Sequence, residues 1–299
     1  MENVHQLRIF VAVADTLSFT RAAERLFLTQ SAVSHQIARL EREVGCELLS
    51  RQGRQVALTA PGRTLATQAR RVFTALETAL DATRQAAHLG QGHIRIGATN
   101  TACQYIIPEA LREFRECFPS YSLSITPADS PVSLDNLLNN TIDLALLLRA
   151  ERNRKVQFHP LFEDELQFVV SPLHPWAKNG RADPKQYASQ RMILYSRNST
   201  TFRLIERYFT RLHAPLRDWI ELGDIGAIKE LVKIGLGISV MAPWVLTVEN
   251  QQGSLVSLRL PGSRLRRQWC IASLAGRKLS LAEQTSINLC QAVTAKIAR

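Results

Sequence analysis

The chain has 299 residues, a formal net charge of +11 at pH 7 and five cysteines. That length accommodates two or three domains with a sizeable core, and the positive balance suits a polyanionic partner. No apolar run approaches the ~20 residues of a membrane span, and the start Met1-Glu2-Asn3 lacks the basic and apolar stretches of an export signal. The cysteines form no CxxC pair and the histidines are scattered, so the expectation is a cytoplasmic protein with no membrane partner, disulfide framework or metal site.

Ser18 stands where an N-cap belongs, ahead of Ala22, Ala23 and Leu26, a small-residue face that can pack closely on a neighbour. Phe27 and Leu28 lead to a second cap candidate, Thr29. Val33, Ile37, Leu40 and Val44 then recur with helical spacing and fall on one stripe at ~100° per residue, which predicts a helix with all four facing the core and Gly45 closing it. The other side carries Ser31, His35, Arg39 and Arg42, flanked by Gln30 and Ser34 and by Gln36. Gln and Ser can hydrogen-bond base edges, and Arg and His can read guanine or hold phosphates. An ordinary surface helix is also polar outside, so the next segment has to decide. There Val56 and Leu58 alternate after Arg51-Gln52-Gly53-Arg54, which predicts a β-hairpin with a basic tip, a wing beside a groove-reading helix.

Thr59-Ala60-Pro61-Gly62 can open the next helix, with Thr59 as cap and Pro61 tolerated in the first turn. Leu65, Ala69, Val72, Leu76, Leu80, Thr83 and Ala87 make a stripe over about eight turns, and Gly90 and Gly92 mark its end. So long a stripe cannot be buried on a small head, so the helix is expected to pair with its copy in a second subunit. Residues 1–90 hold 11 arginines against 8 acidic residues, so local placement rather than bulk charge must carry affinity for nucleic acid.

The run SFTRAAERLFLTQSAVSHQIARLEREVGCELLSRQGRQVALTAPG resembles the winged helix-turn-helix of LysR-type transcriptional regulators. The resemblance implies base-facing roles for Gln30, Ser31, Ser34 and His35, phosphate contacts from Ser18, Arg39 and Arg51, and a wing-tip role for Arg54. Many members carry arginine where this chain has His35, and imidazole makes a shorter, pH-sensitive contact. The family also implies promoter DNA as partner, a homodimer through the linker helix, assembly to a homotetramer, and RNA polymerase as a further partner. Two heads would meet two half-sites, so a partly inverted repeat is expected as operator.

From His93 onward strands and helices alternate. Ile94, Ile96 and Ala98 predict a strand; Ile107, Leu111, Phe114 and Phe118 a helix face; Leu123–Ile125 and the wholly apolar Leu144–Leu148 further strands, the last read as buried and parallel. A second α/β unit follows: strands at Leu166–Val170 and Met192–Tyr195, helices at Thr200–His213 and Ile225–Val232, then the turn and strand of Gly235-Leu-Gly-Ile-Ser-Val-Met. Trp269–Leu274 and a final amphipathic helix return to the first unit. Two lobes crossed twice describe a hinged clamshell with ligand between them. Here the chain resembles the effector domain of the same family, similar in fold to type 2 periplasmic binding proteins, with His174-Pro-Trp-Ala177 and the GLGISVMAP run as its clearest motifs.

The expected fold class is thus an N-terminal winged helix-turn-helix (1–59), a linker helix (60–90) and a two-lobed α/β effector domain (91–299), with lobe I at 91–162 and 268–299 and lobe II at 163–267. Thr99, Asn100 and Thr101 follow the first strand and precede a helix, where they could hold an oxyanion or simply cap. Ser196, Asn198, Ser199, Thr200 and Thr201 stand at the matching place in lobe II, and the family places effector contacts in both loops. Arg149, Phe202 and Asp224 are further candidates. No cofactor is expected; the effector is read as anionic, though neutral or aromatic ligands fit too. The clusters Arg149, Arg152, Arg154, Lys155 and Arg264, Arg266, Arg267 read as surface loops. Cys103, at a helix N-terminus, could carry a redox role, with an inert thiol the plainer reading. No nucleophile or acid–base constellation points to an enzyme.

Overall fold

The structure, a computed structural model, describes residues 2–52, 55–86, 92–149, 153–262 and 264–297. Its elements fall into two compact units, divided after the long helix that ends at Ala86.

The first unit holds α1 (Glu2–Thr16), α2 (Phe19–Leu26), α3 (Gln30–Val44), β1 (Leu49–Gln52), β2 (Gln55–Leu58) and α4 (Ala60–Ala86). Ser18 and Thr29 cap as expected, accepting the N–H of Arg21 and Ala32. Left-handed residues end the helices, Phe27 at φ 55° after α2 and Gly45 at φ 76° after α3. The core joins Phe19, Ala22 and Ala23 of α2 to Val33, Ile37 and Leu40 of α3, over Ile9, Phe10 and Val13 of α1, a helix not singled out from the sequence. Val44 departs from its expected place. It is the last residue of α3, beyond the reach of that core, and is 48% exposed.

Two devices attach the hairpin. Glu41 Oε1 accepts the backbone N–H of Leu48 at 2.8 Å and of Leu49 at 3.1 Å, which ties the hairpin to the end of α3. Thr59 donates to the Glu47 carbonyl at 2.7 Å and accepts the N–H of Gly62 at 3.0 Å, so one hydroxyl both caps α4 and holds the turn. At Gly62 a Cβ would lie 1.9 Å from the Leu48 carbonyl oxygen, so only glycine permits this approach. Farther along α4, Val72, Leu76 and Leu80 are 50%, 42% and 47% exposed within the single chain. Ala87 and Gly90, read as the end of the stripe and its stop, lie outside the described residues.

The second unit runs β3 (Gly92–Ala98), α5 (Asn100–Tyr105), α6 (Ile107–Cys117), β4 (Tyr121–Pro127), α7 (Ser130–Leu138), β5 (Leu144–Leu148), β6 (Val156–Glu165), β7 (Gln167–Val170), α8 (Pro175–Asn179), β8 (Met192–Leu194), α9 (Thr200–Arg211), β9 (Trp219–Glu221), α10 (Ile225–Lys233), β10 (Ser239–Met241), α11 (Thr247–Gln252), β11 (Val256–Leu258), β12 (Arg266–Leu274) and α12 (Leu281–Thr294). One lobe is built on a five-stranded sheet of order β4-β3-β5-β12-β6. β3 is parallel to β4 and β5, whereas β12 is antiparallel to β5 and β6. β5 is buried throughout as expected, but it is parallel on one side only, because β12 returns from the other lobe in the opposite sense.

β6 escaped the sequence reading because Pro160 interrupts it and its last residues are acidic. As the edge strand it tolerates the missing donor, and the register shift at Trp269/Cys270 lies beside it. The other lobe pairs β7 with β10 and β11, and β8 with β9, with one bridge from Met192 to Ile238. Gly235 has φ 75°, as a turn requires, and a Cβ on Gly237 would meet the Arg191 carbonyl oxygen at 2.6 Å. His174 caps α8, and the buried Trp176 donates to Gln186. β6 and β12 carry the chain between lobes, their ladder running to Glu165 and Arg266, past the crossings expected at 162 and 268.

Candidate functional site

On the first unit, burying Val33, Ile37 and Leu40 turns the polar side of α3 to solvent: Gln30, Ser31 and His35 are exposed, and Ser34 and Arg39 half-buried. Ser31 lies 3.1 Å from the Thr29 hydroxyl, and Arg39 pairs with Glu43 at 3.4 Å, a solvent-screened contact that costs little to exchange for a phosphate. Ser18 already uses its hydroxyl as a cap, so its N-terminal position on α2 is what it can offer a phosphate. Arg51 pairs in register with Val56 in the hairpin; Arg54 lies outside the described residues. Phe27, unremarked as a surface group from sequence, is 95% exposed immediately before the α3 cap. The arrangement presents one row of hydrogen-bonding side chains on a rigid, doubly capped helix, the form that major-groove readout requires.

In the second unit the loops that follow β3, β4, β8 and β9 converge on a cavity of about 30 Å³ floored by β12. Thr99, Asn100, Thr101, Asp129, Ser130 and Leu148 line it from one lobe and Tyr195, Ser199, Thr200, Thr201, Gly223 and Ile225 from the other, with Arg267 and Trp269 from β12. Capping and cleft-lining are not alternatives here: Thr99 accepts the N–H of Ala102 and Ser199 that of Phe202, yet both border the cavity. A hydrogen bond joins the lobes at its rim: Asn100 Nδ2 donates to the Gly223 carbonyl at 2.7 Å. Burial raises the Asp129 carboxyl above its usual range, with Ser196 and the charge of Arg203 opposing the shift.

The floor residue Arg267 belongs to a buried ion pair. Arg267 Nε and Nη2 donate to Asp164 at 2.9 and 2.5 Å, and Nη1 donates to Thr201 at 2.9 Å. Asp164 also accepts the indole N–H of Trp244 at 2.8 Å and of Trp269 at 2.9 Å. Burial alone would raise the Asp164 carboxyl; the guanidinium and the two indoles outweigh it and hold the carboxyl below its usual range.

Six expected effector residues thus meet in one cleft: Thr99, Asn100, Thr101, Ser199, Thr200 and Thr201. Five do not line it. Ser196 is half-buried outside the lining, and Asn198 is exposed, its carbonyl taken by Arg203. Arg149 reaches Gln268 and the Phe158 ring, Phe202 is core, and Asp224 caps α10. The assignment of Arg267 to a surface loop is overturned, since it is 5% exposed. Strand alternation carried the signal: Arg267, Trp269 and Ile271 share a face, and the latter two are plain core residues. Asp129 was legible too, as a polar residue between a strand and a helix, like Thr99 and Ser199. At Cys103 burial raises the thiol above its usual range, against the reactive reading. Among the described residues, no helix is long and apolar enough to cross a membrane.

The likeness to known proteins runs along the whole chain. Residues 4–63 match the family described as "Bacterial regulatory helix-turn-helix protein, lysR family", and residues 87–295 match the "LysR substrate binding domain". The "HTH-type transcriptional activator CmpR" of Synechocystis sp. is 30% identical over 95% of this chain and 93% of its own. Full-length OxyR from Pseudomonas aeruginosa, 22% identical, shares the fold with a TM-score of 0.70 over 97% of this chain and 94% of that one. The Synechocystis CcmR regulatory domain, solved in complex with 2-PG, is 27% identical with a TM-score of 0.61, covering 68% of this chain and 98% of its own. A winged helix-turn-helix with a polar recognition face, joined to a two-lobed α/β domain with an interlobe cleft, places this chain in the LysR family of DNA-binding, effector-responsive transcriptional regulators.

Proposed function

We propose that this regulator reads promoter DNA through Gln30, Ser31, Ser34 and His35, holds phosphates with Ser18, Arg39, Arg51 and Arg54, and senses a small anionic metabolite between its lobes. The functional units are 1–59, 60–90 and 91–299. The observation that carries the sensing role is the meeting of Thr99–Thr101 and Ser199–Thr201, from opposite lobes, at one cavity with a cationic floor residue. The 2-PG bound by the CcmR domain supports an anion as effector class. A ligand bridging both lobes changes their closure and so the placement of paired heads on DNA. Pairing occurs through α4, where Val72, Leu76 and Leu80 form an apolar stripe exposed in the single chain; burying it favours a dimer.

Selection of genomic fragments by the purified protein at near-physiological salt, followed by sequencing, tests the reading. Enrichment of a few promoters sharing an imperfect inverted repeat is the expected result, because specific contacts outlast non-specific ones as salt rises. Absence of any enriched sequence, with and without added cell metabolites, would overturn it. Thr200→Trp, which fills the cleft, is expected to abolish the metabolite response while operator binding persists.

A further inference from the structure

We propose that the outer face of α9 is a second DNA-contacting surface, which takes the phosphates of a duplex through Arg203, Arg207 and Arg211 without reading its sequence.

The charge of the effector domain is unevenly spread. Residues 191–217 hold six arginines against one acidic residue, Glu206, a net +5, where the whole of 91–299, with 26 basic and 18 acidic residues, carries +8. Some of these arginines are engaged: Arg191 pairs with Asp218 at 2.9 Å, and Arg197 lies over the Trp219 ring at 4.7 Å. Among the described residues the three arginines of α9 stand in no salt bridge, although Asp129 feels the charge of Arg203.

Helical spacing makes a row of them. Phe202, Ile205, Tyr208 and Phe209 bury one side of α9, and Arg203, Arg207 and Arg211, four residues apart, all stay exposed on the other. Arg203 Nη2 donates to the Asn198 carbonyl at 3.0 Å, Arg207 Nε to that of Arg203 at 3.2 Å and Arg211 Nε to that of Arg207 at 3.4 Å. These bonds lay the side chains back along the helix and align the cations before any partner arrives. At ~1.5 Å per residue the row is about 12 Å long. One strand of B-DNA has a phosphate every ~3.4 Å of axis, so about three or four fall within that length.

The composition of the face decides between a duplex and an acidic protein. A protein interface is built around apolar and aromatic groups, with charges at its rim. No large apolar residue of α9 is exposed, and the row is flanked by Glu206 and Thr210. Phosphate contact needs only cations on a solvated surface, and a duplex is what the head of this regulator already holds.

The test uses the full-length protein and a mixed-sequence duplex longer than two half-sites. Affinity is measured against salt for the wild type, for Arg203→Gln/Arg207→Gln/Arg211→Gln, and for a control of equal charge on exposed residues of lobe I, Arg112→Gln/Arg115→Gln/Lys296→Gln. Each phosphate contact contributes about 0.9 to the slope of log affinity against log salt, so the row variant is expected to lose about 2–3 from it and the control nothing. The row variant is expected to keep the wild-type Tm. In the wild type itself, phenylglyoxal labelling of Arg207 and Arg211, read by mass spectrometry, is expected to be suppressed by the duplex while that of Arg112 is not. An unchanged slope in the row variant, an equal fall in the control, or labelling of Arg207 and Arg211 that the duplex does not reduce would each overturn the proposal. An unchanged slope in a row variant that sediments as a smaller species would give the face to a second copy of the chain instead.

Discussion

The two working surfaces of this molecule are assembled in opposite ways. The polar face of α3 comes from one continuous segment, Gln30 to Arg42, whose caps and core stripe orient it by local rules. The cleft draws on residues from Thr99 to Trp269, in four loops and a crossing strand, and its floor residue Arg267 on β12 is ion-paired with Asp164 on β6. A surface built on one helix can exchange side chains without refolding the protein, which suits a module that must read many different operators. A surface built across two lobes can report a ligand as a movement, but its central charges cannot be changed independently.

The largest expected effect breaks the cleft and spares the head. Asp164→Ala leaves Arg267 buried without its counter-charge, and a loss of about 3–5 kcal/mol in the stability of the effector domain is expected in denaturant titrations. The same pair gives a pH signature. Because the folded Asp164 carboxyl lies below its ordinary value of 3.8, its stabilisation is fully present above that pH and is lost as pH falls through the folded value. A scan of Tm against pH in wild type and Asp164→Ala should converge only in strong acid; parallel curves throughout would show that the pair is not the source.

Gly62→Ala attacks the head instead. The added methyl would meet the Leu48 carbonyl, and overpacking of this kind costs about 1–3 kcal/mol. Its measure is the thermal unfolding of the N-terminal transition, with ligand binding by the cleft unchanged. His35→Arg sharpens the comparison, since a surface residue on a locally determined helix should alter sequence preference by about 1–3 kcal/mol at one base pair and leave Tm unaltered. A binding selection that returned the same consensus for both proteins would remove His35 from the base-reading set.

The smallest effect is a gain. Burial raises the Asp129 carboxyl, so its ionised form is disfavoured in the fold; that cost is absent below about the ordinary value of 3.8 and develops as pH rises through the folded one. Asp129→Asn should therefore raise Tm slightly at neutral pH and not in acid. A fall in Tm at neutral pH would mean that the charge of Asp129, through Arg203, outweighs its burial.

By itself the sequence determined the periodic and local features: the caps at Ser18 and Thr29, the α3 stripe, the glycine closures, the order of strands and helices, and six residues of the cleft. Each follows from interactions within about a turn of helix or a single strand, which residue spacing expresses directly. Tertiary structure decided what depends on residues far apart in the chain. Pro160 hid β6 because only its edge position excuses a proline, and Val44 left the core because the helix outruns its neighbours. Arg267, read beside Arg264 and Arg266 as a solvated cluster, is buried because Asp164, 103 residues away, lies across the ladder from it. A buried charge is stable only with its partner in place, and the partner is chosen by the pairing of strands rather than by sequence spacing.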